Sequence, residues 1–174
     1  MSRIGILAGV FDPIHLGHTE FIAQAIKDHK LDKVYILVEK DPKYKTCLAS
    51  YEHRKEMVGL AVSDIDKIEI YESPRDFFPI SSSVPVIKKD NSGSELFLLI
   101  GDDVWKHIPS WEDAEELLQT VKPIIAKRNQ GAPYSQASSL KIRQSLGKGE
   151  DSKFIDSRVL AYCKSNKLYL TSGA

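Results

Sequence analysis

Five short apolar runs punctuate the chain and alternate with segments whose apolar residues recur at helical spacing. Residues 3–9, Val34-Tyr35-Ile36-Leu37-Val38, Ile68-Glu69-Ile70-Tyr71, Leu96-Phe97-Leu98-Leu99-Ile100 and Val121 to Arg128 have the length and composition of strands. Between the first two, residues 17–29 place Phe21, Ile22, Ala25 and Ile26 on one stripe, the mark of an amphipathic helix. A strand, helix, strand opening predicts a right-handed crossover and an open parallel sheet. The expected fold is therefore α/β, a Rossmann-like open parallel sheet with helices on both faces.

The remaining helices are read from caps and stripes. Ser50 suits the N-cap of a helix over 51–62, in which Met57, Leu60 and Ala61 supply core contacts. Ser138-Ser139 opens another, with Arg143 one turn on. Residues 151–165, with Phe154, Ile155, Val159, Leu160 and Tyr162, predict a closing helix. Glu72 to Gly93 resists assignment, because Pro74, Pro79 and Pro85 break it.

Candidate chemistry concentrates after the first strand, in Gly9-Val10-Phe11-Asp12-Pro13-Ile14-His15-Leu16-Gly17-His18. Gly9 lacks a Cβ, so a ligand can approach the backbone there, and Gly17 does the same beside the helix start. A helix N-terminus offers free N–H donors and positive partial charge to a phosphate. His15 and His18, three residues apart, share one face of that first turn. Alone, such a pair is also compatible with a capped helix carrying two solvated histidines.

This decapeptide resembles the G-x-F-D-P-x-H-x-G-H signature of the nucleotidyltransferases that join a phosphate monoester to the α-phosphate of a nucleoside triphosphate. With histidine first in H-x-G-H it is similar to the nicotinate and nicotinamide mononucleotide adenylyltransferases. The resemblance implies transfer of AMP from ATP to a pyridine mononucleotide, with release of pyrophosphate. His18 and His15 would serve the transferring phosphates, and Gly9, Val10, Phe11 and Gly17 would cradle them. Lys45, ahead of Lys43, matches the family's phosphate-contacting lysine after the second strand, with Lys40 read as solvating. Arg54, in a His53-Arg54 pair like that of many relatives, would reach a phosphate or form a surface i, i+4 ion pair. Gly101 and Asp103 match the family's G-x-D, with the carboxylate suited to ribose hydroxyls; Asp102 is at the variable position.

Trp111, after Pro109-Ser110, matches P-x-W and would stack on the pyridine, while Trp105 is expected to pack. Ser138, Ser139, Ile142 and Arg143 align with I-S-S-T-x-I-R as a triphosphate clamp. Ala137 and Leu140 depart from it, and Leu140 deletes a hydroxyl that Lys141 or Ser135 would have to replace. Ser81-Ser82-Ser83 stands where relatives carry S-Y-T near the pyridine. Asn166-Lys167-Leu168-Tyr169 resembles the family's C-terminal N/G-L-Y. Other acceptors, phosphopantetheine or a CMP-transfer substrate, and a non-catalytic ATP sensor are the alternatives. Mg²⁺ is expected with ATP, held by the triphosphate and water and not by a protein ligand motif.

Composition bounds this reading. A chain of 174 residues is expected to be one domain, 1–174. Lys plus Arg equals Asp plus Glu at 24 each, so no global positive field recruits nucleic acid and any anion site is local. Cys47 and Cys163 form no metal spacing and suit ordinary reduced thiols. No apolar run reaches membrane-spanning length and Met1-Ser2-Arg3 leads straight into a strand, which predicts a cytoplasmic protein without membrane partners. Self-association into a homo-oligomer stays open.

Overall fold

The computed structural model describes residues 1–42, 45–72, 80–111, 113–126 and 136–170, with backbone alone at 80 and 81. In chain order the elements are β1 (Arg3–Gly9), α1 (Leu16–Asp28), β2 (Lys33–Val38), α2 (Tyr51–Val62), β3 (Ile68–Ile70) and α3 (Ile80–Asp90). There follow β4 (Glu95–Gly101), the single turn α4 (Asp102–Trp105), α5 (Ala114–Thr120), β5 (Val121–Ala126), α6 (Ser139–Gly147) and α7 (Ser157–Ser165). The strands form one sheet in the order β3-β2-β1-β4-β5, every pairing parallel.

Successive side chains of a strand point to opposite faces, so each apolar run serves two cores. Leu7, Val34, Ile36, Phe97 and Leu99 face one cluster, which Ile22 of α1, Met57 and Val58 of α2, Ile142 of α6 and Val159 of α7 complete. Ile4, Ile6, Leu37, Leu96 and Leu98 face the other, closed by Val84 and Ile87 of α3 and Leu117 of α5. Each such buried aliphatic side chain contributes about 1.5–3 kcal/mol. Pro123 sits in β5, at the edge, where its missing N–H costs no central ladder bond.

The strand order reverses between β1 and β4, and there the sheet forks. β1 stays in register with β2 as far as Gly9 opposite Val38, and β4 with β5 as far as Gly101 opposite Ala126. The β1–β4 register ends earlier, at Ile6 opposite Leu98. The last three residues of each strand therefore diverge, and the crevice opens at the carboxyl edge of a topological switch point.

Three expectations shift. The closing helix begins at Ser157 instead of 151, because the Asp156 carboxylate accepts the Arg158 N–H at 2.8 Å and caps it there. Phe154 belongs to the preceding turn, where its carbonyl accepts the Leu16 N–H at 2.9 Å. The proline-broken stretch contains α3, whose Val84 and Ile87 are buried at helical spacing although Pro85 lies between them. The first helix starts one residue early, at Leu16. Lys43, Ser135, the strand extension Lys127-Arg128 and the loop 129–133 lie outside the described residues.

Candidate active site

The turn after β1 is built around an aromatic stack. A Cβ placed on Gly9 would lie 2.9–3.2 Å from three carbons of the Phe11 ring, so glycine is needed for Phe11 to fold back. The space that the missing Cβ of Gly9 leaves open is thus taken by the Phe11 ring. Phe11 takes φ +53° to do so. Its ring meets His18 edge-on at 5.2 Å, and His18 stacks on His15 at 3.7 Å with the planes 22° apart. His15, 7% exposed, is the N-cap of α1, with Gly17 and His18 in the first turn.

The His15 backbone N–H donates to His18 Nδ1 at 3.2 Å. An acceptor nitrogen carries no proton, so in the neutral ring the proton lies on Nε2. His18 is thereby held as an Nε2–H donor. This tautomer suits hydrogen bonding to a phosphate oxygen and disfavours nucleophilic attack through the same atom.

Asp12 and Arg54 tie this turn to the segment after β2. Both are 1% exposed. Asp12 accepts the Leu48 N–H at 2.8 Å, the Ala49 N–H at 3.1 Å and the Tyr169 hydroxyl at 2.7 Å. Burial, then the Asp12 carboxylate, pushes the Tyr169 hydroxyl far above its ordinary range, so it stays a donor. Arg54 donates through Nη1 to the Val10 and Glu39 carbonyls at 2.7 Å each, through Nη2 to Lys40 at 3.0 Å and through Nε to Ala49 at 3.2 Å. Four of its five N–H groups are committed to backbone. Arg54 therefore forms no surface ion pair along its helix, and one N–H remains for the phosphate contact expected of it.

Beside it lies an open depression of about 660 Å³, whose lining includes Lys40, Lys45, Thr46, Ser50 and Arg54. Lys45 is exposed there, and Lys40 Nζ lies 5.5 Å from the Tyr51 ring centroid. Burial raises the Cys47 thiol above its ordinary value, although Arg54 and Lys45 pull the other way. Cys163 is buried against Met57 and pushed up to about 11 by burial, which makes it packing.

α6 docks its N-terminus on the same turn. Ser139 Oγ donates to the Pro13 carbonyl at 2.9 Å, and Arg143 Nη1 donates to the Asp12 carbonyl at 2.5 Å. The Ser139 hydroxyl proton is thus used within the protein, leaving its amide as the donor for an anion. Ser138 is the N-cap and makes no side-chain cap bond. Leu140, in the first turn, is 55% exposed. First-turn amides of a helix have no intrahelical acceptor, so this end offers N–H donors next to the histidine turn.

Across the fork, Gly101 is the N-cap of α4 and Asp103 an exposed residue of it. Trp105 and Trp111 are both partly buried against the second core, so packing claims part of each ring. Ser83 is buried, 1% exposed, in the first half of α3, and the Ser81 side chain lies outside the described residues. The described residues contain no group of three or more His, Cys, Asp or Glu arranged to hold a metal.

The Cytidylyltransferase-like sequence profile matches residues 6–145, which include the histidine turn, the Lys45–Arg54 segment and the N-terminus of α6. The chain belongs to the cytidylyltransferase-like family. Within the curated relatives, the "probable nicotinate-nucleotide adenylyltransferase" of Dictyoglomus turgidum is 28% identical, over 96% of this chain and 95% of its own length. The Lactococcus lactis protein of the same description is also 28% identical, over 97% and 95%. Among solved structures, Plasmodium falciparum nicotinic acid mononucleotide adenylyltransferase complexed with NaAD superposes with a TM-score of 0.83. It covers 97% of this chain and 98% of its own at 17% identity, which establishes the shared fold.

Family membership and fold agree with the sequence reading. The structure brings Gly9, Val10, Phe11, His15, Gly17, His18, Ser138, Ser139 and Arg143 to one turn, with Lys45 and Arg54 on its β2 side. Asp12 and Tyr169 were visible only as motif members. Their buried hydrogen bonds join residues 157 positions apart, which local patterns do not encode.

Proposed function

We propose that the protein transfers AMP from ATP to the phosphate of nicotinate mononucleotide, releasing pyrophosphate and forming nicotinate adenine dinucleotide in NAD biosynthesis. The observation that carries this reading is the histidine pair at the sheet fork, with His18 held as an Nε2–H donor. The names of the relatives and the NaAD of the Plasmodium structure support the choice of acceptor.

In the reaction a phosphate oxygen of the mononucleotide attacks the α-phosphorus of ATP in line. The bond from that phosphorus to the oxygen bridging to the β-phosphate breaks, and pyrophosphate leaves with the electron pair. The attacking phosphate is already a nucleophile, so the protein supplies alignment and charge stabilisation. His18 Nε2–H donates to an α-phosphate oxygen as negative charge builds there, and His15 orients the phosphates beside it. The amides of Gly17 and of the first turn of α6, with Ser138, Ser139 and Arg143, hold the triphosphate. Lys45 places the acceptor phosphate, Asp103 the ribose hydroxyls, and the exposed part of Trp111 the pyridine. Mg²⁺ arriving with ATP would be held by the triphosphate and water, without a protein ligand, and would supply charge neutralisation for the leaving pyrophosphate.

Pyrophosphate release measured with Mg-ATP and separate acceptors tests the reading. Turnover is expected with nicotinate mononucleotide, and weaker or none with nicotinamide mononucleotide. Turnover confined to phosphopantetheine would overturn the acceptor while leaving nucleotidyl transfer in place.

A further inference from the structure

The buried Arg54 spends four of its five N–H groups on the protein's own backbone. Its guanidinium gathers carbonyls from three places: Val10 at the end of β1, Glu39 and Lys40 after β2, and Ala49 before α2. Asp12 works on the same seam from the other side. Ala49 is gripped at both ends, its N–H by the Asp12 carboxylate at 3.1 Å and its C=O by Arg54 Nε at 3.2 Å. Two buried charges of opposite sign thus clamp the histidine turn to the segment that carries Lys45.

Lysine cannot reproduce this clamp, because a guanidinium presents five donors in a rigid plane and an ammonium three from one atom. The two segments so joined carry the groups assigned to the two substrates. His15 and His18 follow the Val10–Asp12 turn, and Lys45 lies four residues before Ala49. On the assignment above, ATP meets the histidine turn and the acceptor phosphate meets Lys45. In-line attack needs both sides in a fixed relation, and a displacement of about 1 Å costs roughly a hundredfold in rate.

We propose that Arg54 is a positioning residue for adenylyl transfer, which sets the distance between the ATP-facing turn and the acceptor-facing segment through the Val10, Glu39, Lys40 and Ala49 carbonyls. This rests on the reaction assigned above and is separate from the direct phosphate contact expected of Arg54.

The test compares wild type with Arg54→Lys and Arg54→Ala, using ATP-binding stoichiometry to count competent sites. Turnover per competent site is expected to fall about tenfold or more in both variants. Dissociation constants for ATP and nicotinate mononucleotide, each measured alone, should stay near wild type. Added guanidinium should restore part of the Arg54→Ala loss. Undiminished turnover per site with a lowered Tm would reduce Arg54 to a stabiliser and overturn the proposal. So would unchanged turnover with mononucleotide affinity lost, which would mark a direct ligand.

Amide exchange at Leu48 and Ala49 needs no acceptor at all. Arg54→Lys is expected to speed it while the Ile36 and Leu98 amides stay protected; unchanged protection at Ala49 would also overturn the proposal. Wild-type protein silent with nicotinate mononucleotide would count against the acceptor assignment, and the exchange result would still decide the clamp.

Discussion

His18 shows how much of the chemistry rests on a single hydrogen. Its Nδ1 is occupied by the His15 backbone N–H, its ring is wedged between His15 and Phe11, and Phe11 has room only because Gly9 has no side chain. Replacing His18 with alanine removes the proposed donor to the α-phosphate and is expected to lower kcat by about a hundredfold or more, with a smaller effect on the KM for ATP. Near-normal turnover in that variant, followed by pyrophosphate release, would remove His18 from the catalytic role. The histidines were legible because their spacing and the flanking glycines are local features. The packing of Phe11 on Gly9 and the backbone bonds of Arg54 were not legible, because whether a side chain meets solvent, a ligand or the protein's own backbone depends on what the fold brings against it.

At the scale of elements, caps and first turns decide more than helical propensity does. Asp156 caps α7 by accepting the Arg158 N–H, and its carboxylate also receives the Arg158 guanidinium. The Arg158 side chain first, then the backbone N–H bonds, hold this carboxyl below its ordinary value of 3.8 despite the opposing effect of burial. A lowered folded value means that the stabilisation is complete above the unfolded value and is lost as pH falls through the folded one. Asp156→Ala is expected to lose about 1 kcal/mol of unfolding free energy at neutral pH. In denaturant titrations the gap to wild type should narrow as pH falls below the ordinary carboxylate value and through the lowered folded one. A gap of constant size across that range would show that the carboxylate is not its source.

α6 carries the departure at Leu140. Its exposed side chain stands in the first turn of a helix whose N-terminus abuts the histidine turn. Leu140→Thr restores a hydroxyl there and is expected to lower the KM for ATP about fivefold, the effect of one added hydrogen bond of about 1 kcal/mol. An unchanged KM would mean that Lys141 or another donor already makes the contact. α3 was the element hidden from sequence reading. Its Pro85 resembles a break, yet Val84 and Ile87 recur at the spacing that the second core requires. Conversely, the apolar Phe154 and Ile155 suggested a longer α7 than the Asp156 cap permits.

Across the whole molecule, the alternation of apolar runs with amphipathic segments was sufficient to anticipate a parallel sheet layered by helices on both faces. The strand order and the early end of the β1–β4 register were not, since pairing partners are chosen by the three-dimensional assembly. That fork places two helix N-termini, two histidines and a basic segment around one crevice, and the partly buried Tyr169 fastens the ensemble through Asp12. In the proposed reaction this frame aligns two phosphates for direct displacement, without a protein nucleophile. The sharpest measurement is the stereochemistry at the α-phosphorus, with ATP bearing a chiral α-phosphorothioate as donor and nicotinate mononucleotide as acceptor. Inversion of configuration in the dinucleotide product is the predicted result. Retention would mean two displacements through a covalent nucleotidyl-protein, and would contradict both the direct transfer and the donor role of His18.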